Sequence, residues 1–264
     1  MDLIEALILG IVQGLTEWLP VSSSGHLVIA QELLGLATEE NLLFDLVVHL
    51  GTVLAVCVYF RKEFAGIVKA LVTPRSRRGE REEALRKLGL LALLATVPVA
   101  VIGVLLTDYI DEIFSITLVG AALLLNAAIL FTAERTARKG TKKAAGTLDA
   151  VVVGIFQAVS ILPGVSRSGS TLSGGMFRGI EKEAAATFAF IVSVPALLGA
   201  TVYGFATLDS YDADIVTMLV GAGAAFLVGI VSIDYLLKAV RTSRLWMFSA
   251  YCAALGATVL ILTI

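Results

Sequence analysis

Charge is scarce in this chain: 16% of its 264 residues are Asp, Glu, Lys or Arg, against 58% hydrophobic residues. The usual soluble balance is about 45–50% apolar and 25% charged, and the mean hydropathy of +0.91 lies far to the apolar side. A water-soluble globular domain of any size is excluded. With only two cysteines, Cys57 and Cys252, both in apolar runs, neither a disulfide framework nor a zinc-ligand pattern is available. The first residues, MDLIEALILGIVQGLTEWLP, have no basic stretch and carry Glu5 and Glu17, so they read as retained sequence rather than a cleaved leader.

What is present is a series of long apolar stretches. Six lie near residues 42–60, 88–107, 113–133, 184–206, 214–237 and 245–264, each about the length that crosses a bilayer. Basic residues cluster after the first (Arg61, Lys62, Lys69, Arg75, Arg77, Arg78, Arg81, Arg86, Lys87), the third (Arg135, Arg138, Lys139, Lys142, Lys143) and the fifth (Lys238, Arg241, Arg244). Acidic residues without basic neighbours occupy the other connections: Asp108, Asp111 and Glu112, then Asp209, Asp212 and Asp214. The positive-inside rule makes the basic loops cytoplasmic and the acidic ones external, which puts both termini outside.

Two further stretches, 1–36 and 148–180, are interrupted by Pro, Gly and Ser. A full crossing by either would reverse the loop signs beyond it, so both are expected as re-entrant helix-loop-helix segments. The fold class expected is an all-α polytopic membrane protein with six transmembrane helices and two re-entrant segments, in one membrane domain, 1–264.

The chain also repeats itself. A gapless shift of 144 residues superposes Ala6, Gly10, Ile11, Gln13, Val21, Ser22, Ser24 and Gly25 on Ala150, Gly154, Ile155, Gln157, Val165, Ser166, Ser168 and Gly169. Gly35, Glu39, Phe44, Val48, Leu54, Val58 and Tyr59 match Gly179, Glu183, Phe188, Val192, Leu198, Val202 and Tyr203. Repeat 1 spans about 1–134 and repeat 2 about 148–264. The matched spans 42–60 and 184–206 enter from opposite sides, which is the inverted-topology arrangement that places interrupted helices at the midplane.

The chemistry-bearing residues sit at those interruptions. Gln13 and Glu17, four apart, share a helix face just before Pro20 ends the helix. An ionisable group at membrane depth is costly and marks function by default; the plain alternative is a polar pair at a helix interface. Ser22, Ser23, Ser24, Gly25 and His26 then precede one apolar half-helix, and Ser166, Arg167, Ser168, Gly169, Ser170 and Thr171 precede the other. Ser and Gly there read as N-caps, and two helix N-termini that converge would make an anion site. Arg167 adds a fork suited to phosphate.

The halves differ where chemistry would be done: Glu17 aligns with Ile161, Ser23 with Arg167 and His26 with Ser170. One tip offers a carboxylate, a hydroxyl and an imidazole, the other a cation. His49 stands four residues after Asp45 and reads equally as support for the site or as a packing contact.

QGLTEWLPVSSSGH and PGVSRSGST resemble the two signature motifs of the undecaprenyl-diphosphate phosphatases of the bacitracin-resistance type. The resemblance covers essentially the whole chain. It implies hydrolysis of the terminal phosphate of a polyprenyl diphosphate at the external membrane face, with a divalent cation (Mg2+ or Ca2+) as cofactor and a homodimer as assembly. The family's acidic residue falls on Glu17, its serine on Ser23, its histidine on His26 and its arginine on Arg167. Glu17 is also the expected metal ligand, and Gln13, Ser22, Ser24, Gly25, Ser166, Ser168, Gly169 and Thr171 complete the expected substrate contacts. Many members carry Glu where this chain has Gln13, whose amide can ligate or orient but cannot act as a base. Attack by Ser23, activated by Glu17 or His26, and attack by a water held on Glu17 both remain open, with His26 as acid to the leaving group. The rival readings are an inverted-repeat transporter or a lipid flippase for an anionic substrate. No nucleic-acid partner is expected.

Overall fold

The computed structural model describes residues 1–36, 41–113, 115–136, 140–207 and 214–263, with side chains except at 107–113. Glu39, Arg138, Lys139, Asp209 and Asp212 lie outside the described residues, as do the side chains of Asp108, Asp111 and Glu112.

Eleven α-helices are described: α1 (Leu3–Trp18), α2 (Ser23–Leu34), α3 (Leu42–Tyr59), α4 (Arg61–Val72), α5 (Glu80–Ile113), α6 (Ile116–Thr136), α7 (Thr147–Val159), α8 (Arg167–Phe177), α9 (Lys182–Thr207), α10 (Ile215–Arg241) and α11 (Leu245–Thr263). Six of them are long and apolar enough to cross a membrane: α3, α5 up to Leu106, α6, α9, α10 and α11. They lie on the six expected stretches. One difference concerns residues 61–87, expected as a basic loop. The chain there folds into α4 and the first two turns of α5, because Phe64 and Ile67 cluster with Leu85, Leu88 and Leu91 while Arg61, Lys62, Lys69, Arg81 and Lys87 stay exposed.

The apolar surface is turned outwards. Leu105, Val202, Leu219 and Leu227 are each about two-thirds exposed, whereas Gln13, Gln157, Asn126 and Ser170 are wholly buried. In water this pattern would be unstable; in lipid it is the arrangement that lets polar groups pair inside the bundle. A large internal cluster fills the centre, with Trp18 edge-on to Phe190 at 5.5 Å and Phe60 at 5.4 Å from the same ring.

The remaining helices are too short to cross. At 1.5 Å per residue, α7 and α8 reach roughly 20 and 17 Å, against a hydrocarbon core of about 30 Å. The ends of this α7–α8 hairpin are pinned together: Thr141 and Lys142 amides donate to the Gly179 carbonyl (3.1 Å each), and Glu181 N donates to Lys142 O at 2.9 Å. Arg178 Nε and Lys142 Nζ both reach Asp149, at 2.8 and 3.0 Å.

Packing between the halves is exchanged. α1 lies on α10 and α7 on α5; α3 meets α10 and α5 meets α9; α6 pairs with α11. The glycines matched by the 144-residue shift make these crossings possible. A Cβ on Gly154 would come within 2.6 Å of Ala95 O on α5, and one on Gly10 would collide with Gly221 O on α10. Small residues of this kind are what allow backbones to meet inside lipid.

Candidate active site

The two interrupted tips meet. Each is capped identically: Ser22 Oγ accepts from Gly25 N at 3.3 Å and lies 3.3 Å from Ser24 Oγ, while Ser166 Oγ accepts from Gly169 N at 3.1 Å and lies 3.0 Å from Ser168 Oγ. Ser168 Oγ donates across to Leu19 O of the other tip at 3.0 Å. Asn126, on α6, clamps both: its Nδ2 donates to Pro20 O at 2.9 Å and its Oδ1 accepts from Ser166 N at 3.1 Å. Gly25 and Gly164 allow the contact, Gly164 with φ +102° and with Val119 O only 2.6 Å from where a Cβ would stand. Ser22 holds φ +72°, a region that costs a non-glycine residue about 1–3 kcal/mol and tends to persist where function requires it.

Glu17, buried at the end of α1, is the hub. Its Oε2 accepts from Ser23 Oγ at 2.6 Å and from Gln13 Nε2 at 3.0 Å. His49 Nε2 lies 3.5 Å from that oxygen, and Arg167 Nη1 lies 3.6 Å from Oε1. Arg167 reaches in from the first turn of α8, and its buried Nη1 has no hydrogen-bond partner, so a donor waits beside the carboxylate. Ser23 at the first turn of α2 and Arg167 at the first turn of α8 therefore face each other where both helix dipoles are positive. Glu17, Ser23, Ser24, Ser166, Arg167 and His49 line one small cavity there.

Of the expected site residues, the structure brings together Gln13, Glu17, Ser23 and Arg167, with Ser22, Ser24, Gly25, Ser166, Ser168 and Gly169 building the tips. Thr171 turns back, its hydroxyl donating to Arg167 O at 2.8 Å. His26 does not join the cluster. Its Nδ1 is 2.7 Å from Ser22 O and its Nε2 2.7 Å from Tyr251 OH, with the rings stacked at 5.6 Å. A carbonyl only accepts, so Nδ1 carries the proton and the neutral ring accepts from Tyr251. The imidazole at the carboxylate is instead His49, whose Nδ1 donates to Asp45 O at 2.6 Å, so that its Nε2 donates towards Glu17 only in the imidazolium form. Asn126 was not singled out by sequence, although a lone amide in an apolar span carries that signal.

A larger apolar groove of about 380 Å3 runs between α5 and α9, walled by Val99, Ala100, Val104, Ala196 and Ala200 among others. Arg167 and Ser160 line both the groove and the tip cavity, so the two lie side by side.

As to a cation, no group of three His, Cys, Asp or Glu side chains able to hold one occurs among the described residues. The donors at hand are the Glu17 carboxylate and the Gln13 amide oxygen, which is buried and without a partner. Two such oxygens suit a hard divalent ion that shares its remaining positions with phosphate and water.

The sequence matches the model of the bacitracin resistance protein BacA family over residues 6–258. The chain belongs to the BacA family. It is 42% identical to a relative from Carboxydothermus hydrogenoformans, with 99% of this chain and 98% of that protein covered. Relatives from Korarchaeum cryptofilum (40% identity, 98% and 99% covered) and Alkaliphilus metalliredigens (38%, both chains covered throughout) are equally complete. All three bear the name undecaprenyl-diphosphatase.

Proposed function

We propose that this membrane protein hydrolyses undecaprenyl diphosphate to the monophosphate, returning a lipid carrier to surface-glycan synthesis. The observation that carries this reading is the Ser23–Glu17–Arg167 cluster at two opposed helix N-termini, beside a groove apolar enough for a prenyl chain. Family membership supports it.

Ser23 is the proposed nucleophile. Its hydroxyl already donates to Glu17 at 2.6 Å, the geometry in which a carboxylate takes the proton as the oxygen attacks. A new Ser23 Oγ–P bond forms at the terminal phosphorus and the anhydride O–P bond breaks, releasing prenyl monophosphate. Glu17 passes the Ser23 proton to the departing prenyl phosphate; water then attacks the phosphoserine, Glu17 takes its proton and returns it to Ser23 Oγ as the Oγ–P bond breaks and inorganic phosphate leaves. Arg167 and the N-terminal amides of α2 and α8 offset the charge that spreads over the phosphoryl oxygens, the main source of catalysis in such transfers. His26, held by Ser22 and Tyr251, fixes the backbone of the α2 tip. A divalent cation, Mg2+ or Ca2+, would be held by Glu17 and the Gln13 amide oxygen and would neutralise part of the diphosphate charge.

The placement in the membrane belongs to the same proposal. α1–α2 and α7–α8 are re-entrant hairpins of two inverted repeats, a reading supported by their short helices and by the exchanged packing of α1 on α10 and α7 on α5. Basic residues gather at one end of the bundle, so that end is cytoplasmic, both termini are external and the site opens outwards. The protein works as a homodimer, as the family resemblance implies.

Purified protein given farnesyl or longer prenyl diphosphate should release phosphate in a Mg2+- or Ca2+-dependent manner. Vesicle uptake of a prenyl phosphate without hydrolysis would replace the enzyme reading with transport.

A further inference from the structure

A second cavity, of about 240 Å3, lies at the opposite, basic end of the bundle, between the end of α6, the start of α9 and the turn joining α10 to α11. Its walls are Phe131, Glu134, Arg135, Lys182, Ser243 and Trp246. Nothing in the proposed hydrolysis uses it.

The cavity is built. Ser243 holds φ +53°, one of two non-glycine residues among those described with positive φ, and so presents its hydroxyl to Lys182 Nζ at 2.9 Å. Arg135 is held with its guanidinium carbon 4.3 Å over the Phe131 ring. No carboxylate pairs with Lys182 or Arg135 among the described residues; the neighbouring Glu183 is taken by Arg241 at 3.2 Å. Glu134 supplies the opposite charge: its Oε1 is buried yet has no hydrogen-bond partner. An unsatisfied carboxylate oxygen is costly, and a ligand donor would remove the cost.

We infer that this cavity binds the headgroup of an aminophospholipid, with the phosphate on Lys182 and Arg135 and the ammonium on Glu134. A purely anionic headgroup would leave Glu134 facing like charge, and a choline headgroup has no N–H to give it. The position fits a lipid rather than free phosphate. Phe131 and Trp246 are about half exposed beside the cavity at the ends of spanning helices, where aromatic rings meet acyl chains and headgroups. Basic pockets between transmembrane helices are recurrent headgroup sites.

The test is native mass spectrometry of detergent-purified protein titrated with phosphatidylethanolamine, phosphatidylglycerol and phosphatidylcholine of matched acyl chains. Wild type should retain phosphatidylethanolamine best. Glu134→Gln should lower that adduct roughly fivefold and erase its advantage over phosphatidylglycerol, and the pair Lys182→Gln with Arg135→Gln should weaken all three lipids. Phosphate release from farnesyl diphosphate by each variant serves as the folding control. Equal retention of the three lipids by wild type, an unchanged preference in Glu134→Gln, or displacement of the lipid by inorganic phosphate would overturn the assignment.

Discussion

Glu17 is buried and surrounded by four side chains, and each contact makes a different demand on it. Gln13 and Ser23 donate to one oxygen, His49 borders the same oxygen and Arg167 borders the other. Replacing Ser23 with Ala should lower phosphate release by about three orders of magnitude or more, the scale at which an activated nucleophile acts. Full turnover by that variant would transfer the attack to water. Arg167→Ala should cost roughly 10²–10³ in kcat with the fold intact, as for loss of one charge-stabilising donor. His49→Gln keeps a donor near Glu17 and should retain most activity, while His49→Ala should lower kcat about tenfold with little change in KM. Equal activity of the two His49 variants and wild type would make that residue a packing contact. The first motif was readable because its residues are adjacent in sequence; His49 was left undecided because its distance from Glu17 is set by how α3 lies beside α1.

The helix ends decide whether those residues meet. Asn126 gives one amide to both tips, and no other side chain on α6 bonds to them among the described residues. Asn126→Leu would leave Ser166 N unpaired and Pro20 O with only the Cys252 thiol at 3.8 Å, and should destabilise the protein by about 2–4 kcal/mol, read as a fall in Tm, with activity lost in parallel. At the other end of the molecule Asp214 caps α10. The Thr217 hydroxyl above all, then the Thr217 and Val216 amides, hold its carboxyl below the ordinary carboxylate range. The folded state thus favours the ionised form, and the cap contributes stability above the unfolded-state value that is lost as pH falls through the lowered one. The Tm difference between wild type and Asp214→Ala should therefore shrink on acidification. Caps such as Asp2, Ser22, Ser166 and Asp214 are visible in sequence because they act within three residues. Asn126 spans 106 residues to Pro20 and 40 to Ser166, and periodicity carries no record of such distances.

At the scale of the whole molecule, the apolar groove between α5 and α9 lies beside the tip cavity, with Arg167 and Ser160 in both linings. A Cβ on Gly199, in its wall, would meet nothing within 4 Å, so Gly199→Phe can be accommodated without disturbing the backbone packing. It should raise KM for undecaprenyl diphosphate severalfold and leave short prenyl diphosphates unaffected, since a groove residue contributes uniform binding of the tail. Cysteine labelling of intact cells checks the orientation: Gly79→Cys should be protected from an impermeant reagent and Asp2→Cys modified.

Lipid solvation explains why so much was decided before the fold was known. A bilayer forces every span to be helical, about 20 residues long and apolar, so apolar run length alone determined the six helices, and the Pro, Gly and Ser interruptions marked the two tips. The duplication determined that the tips have the same backbone role. Which groups occupy the site was decided by tertiary structure. Packing α1 and α3 against α10 brings His49 to Glu17, and the turn of α2 carries His26 round to Tyr251, because contact between helices depends on their rotation and crossing, which one-dimensional spacing leaves free.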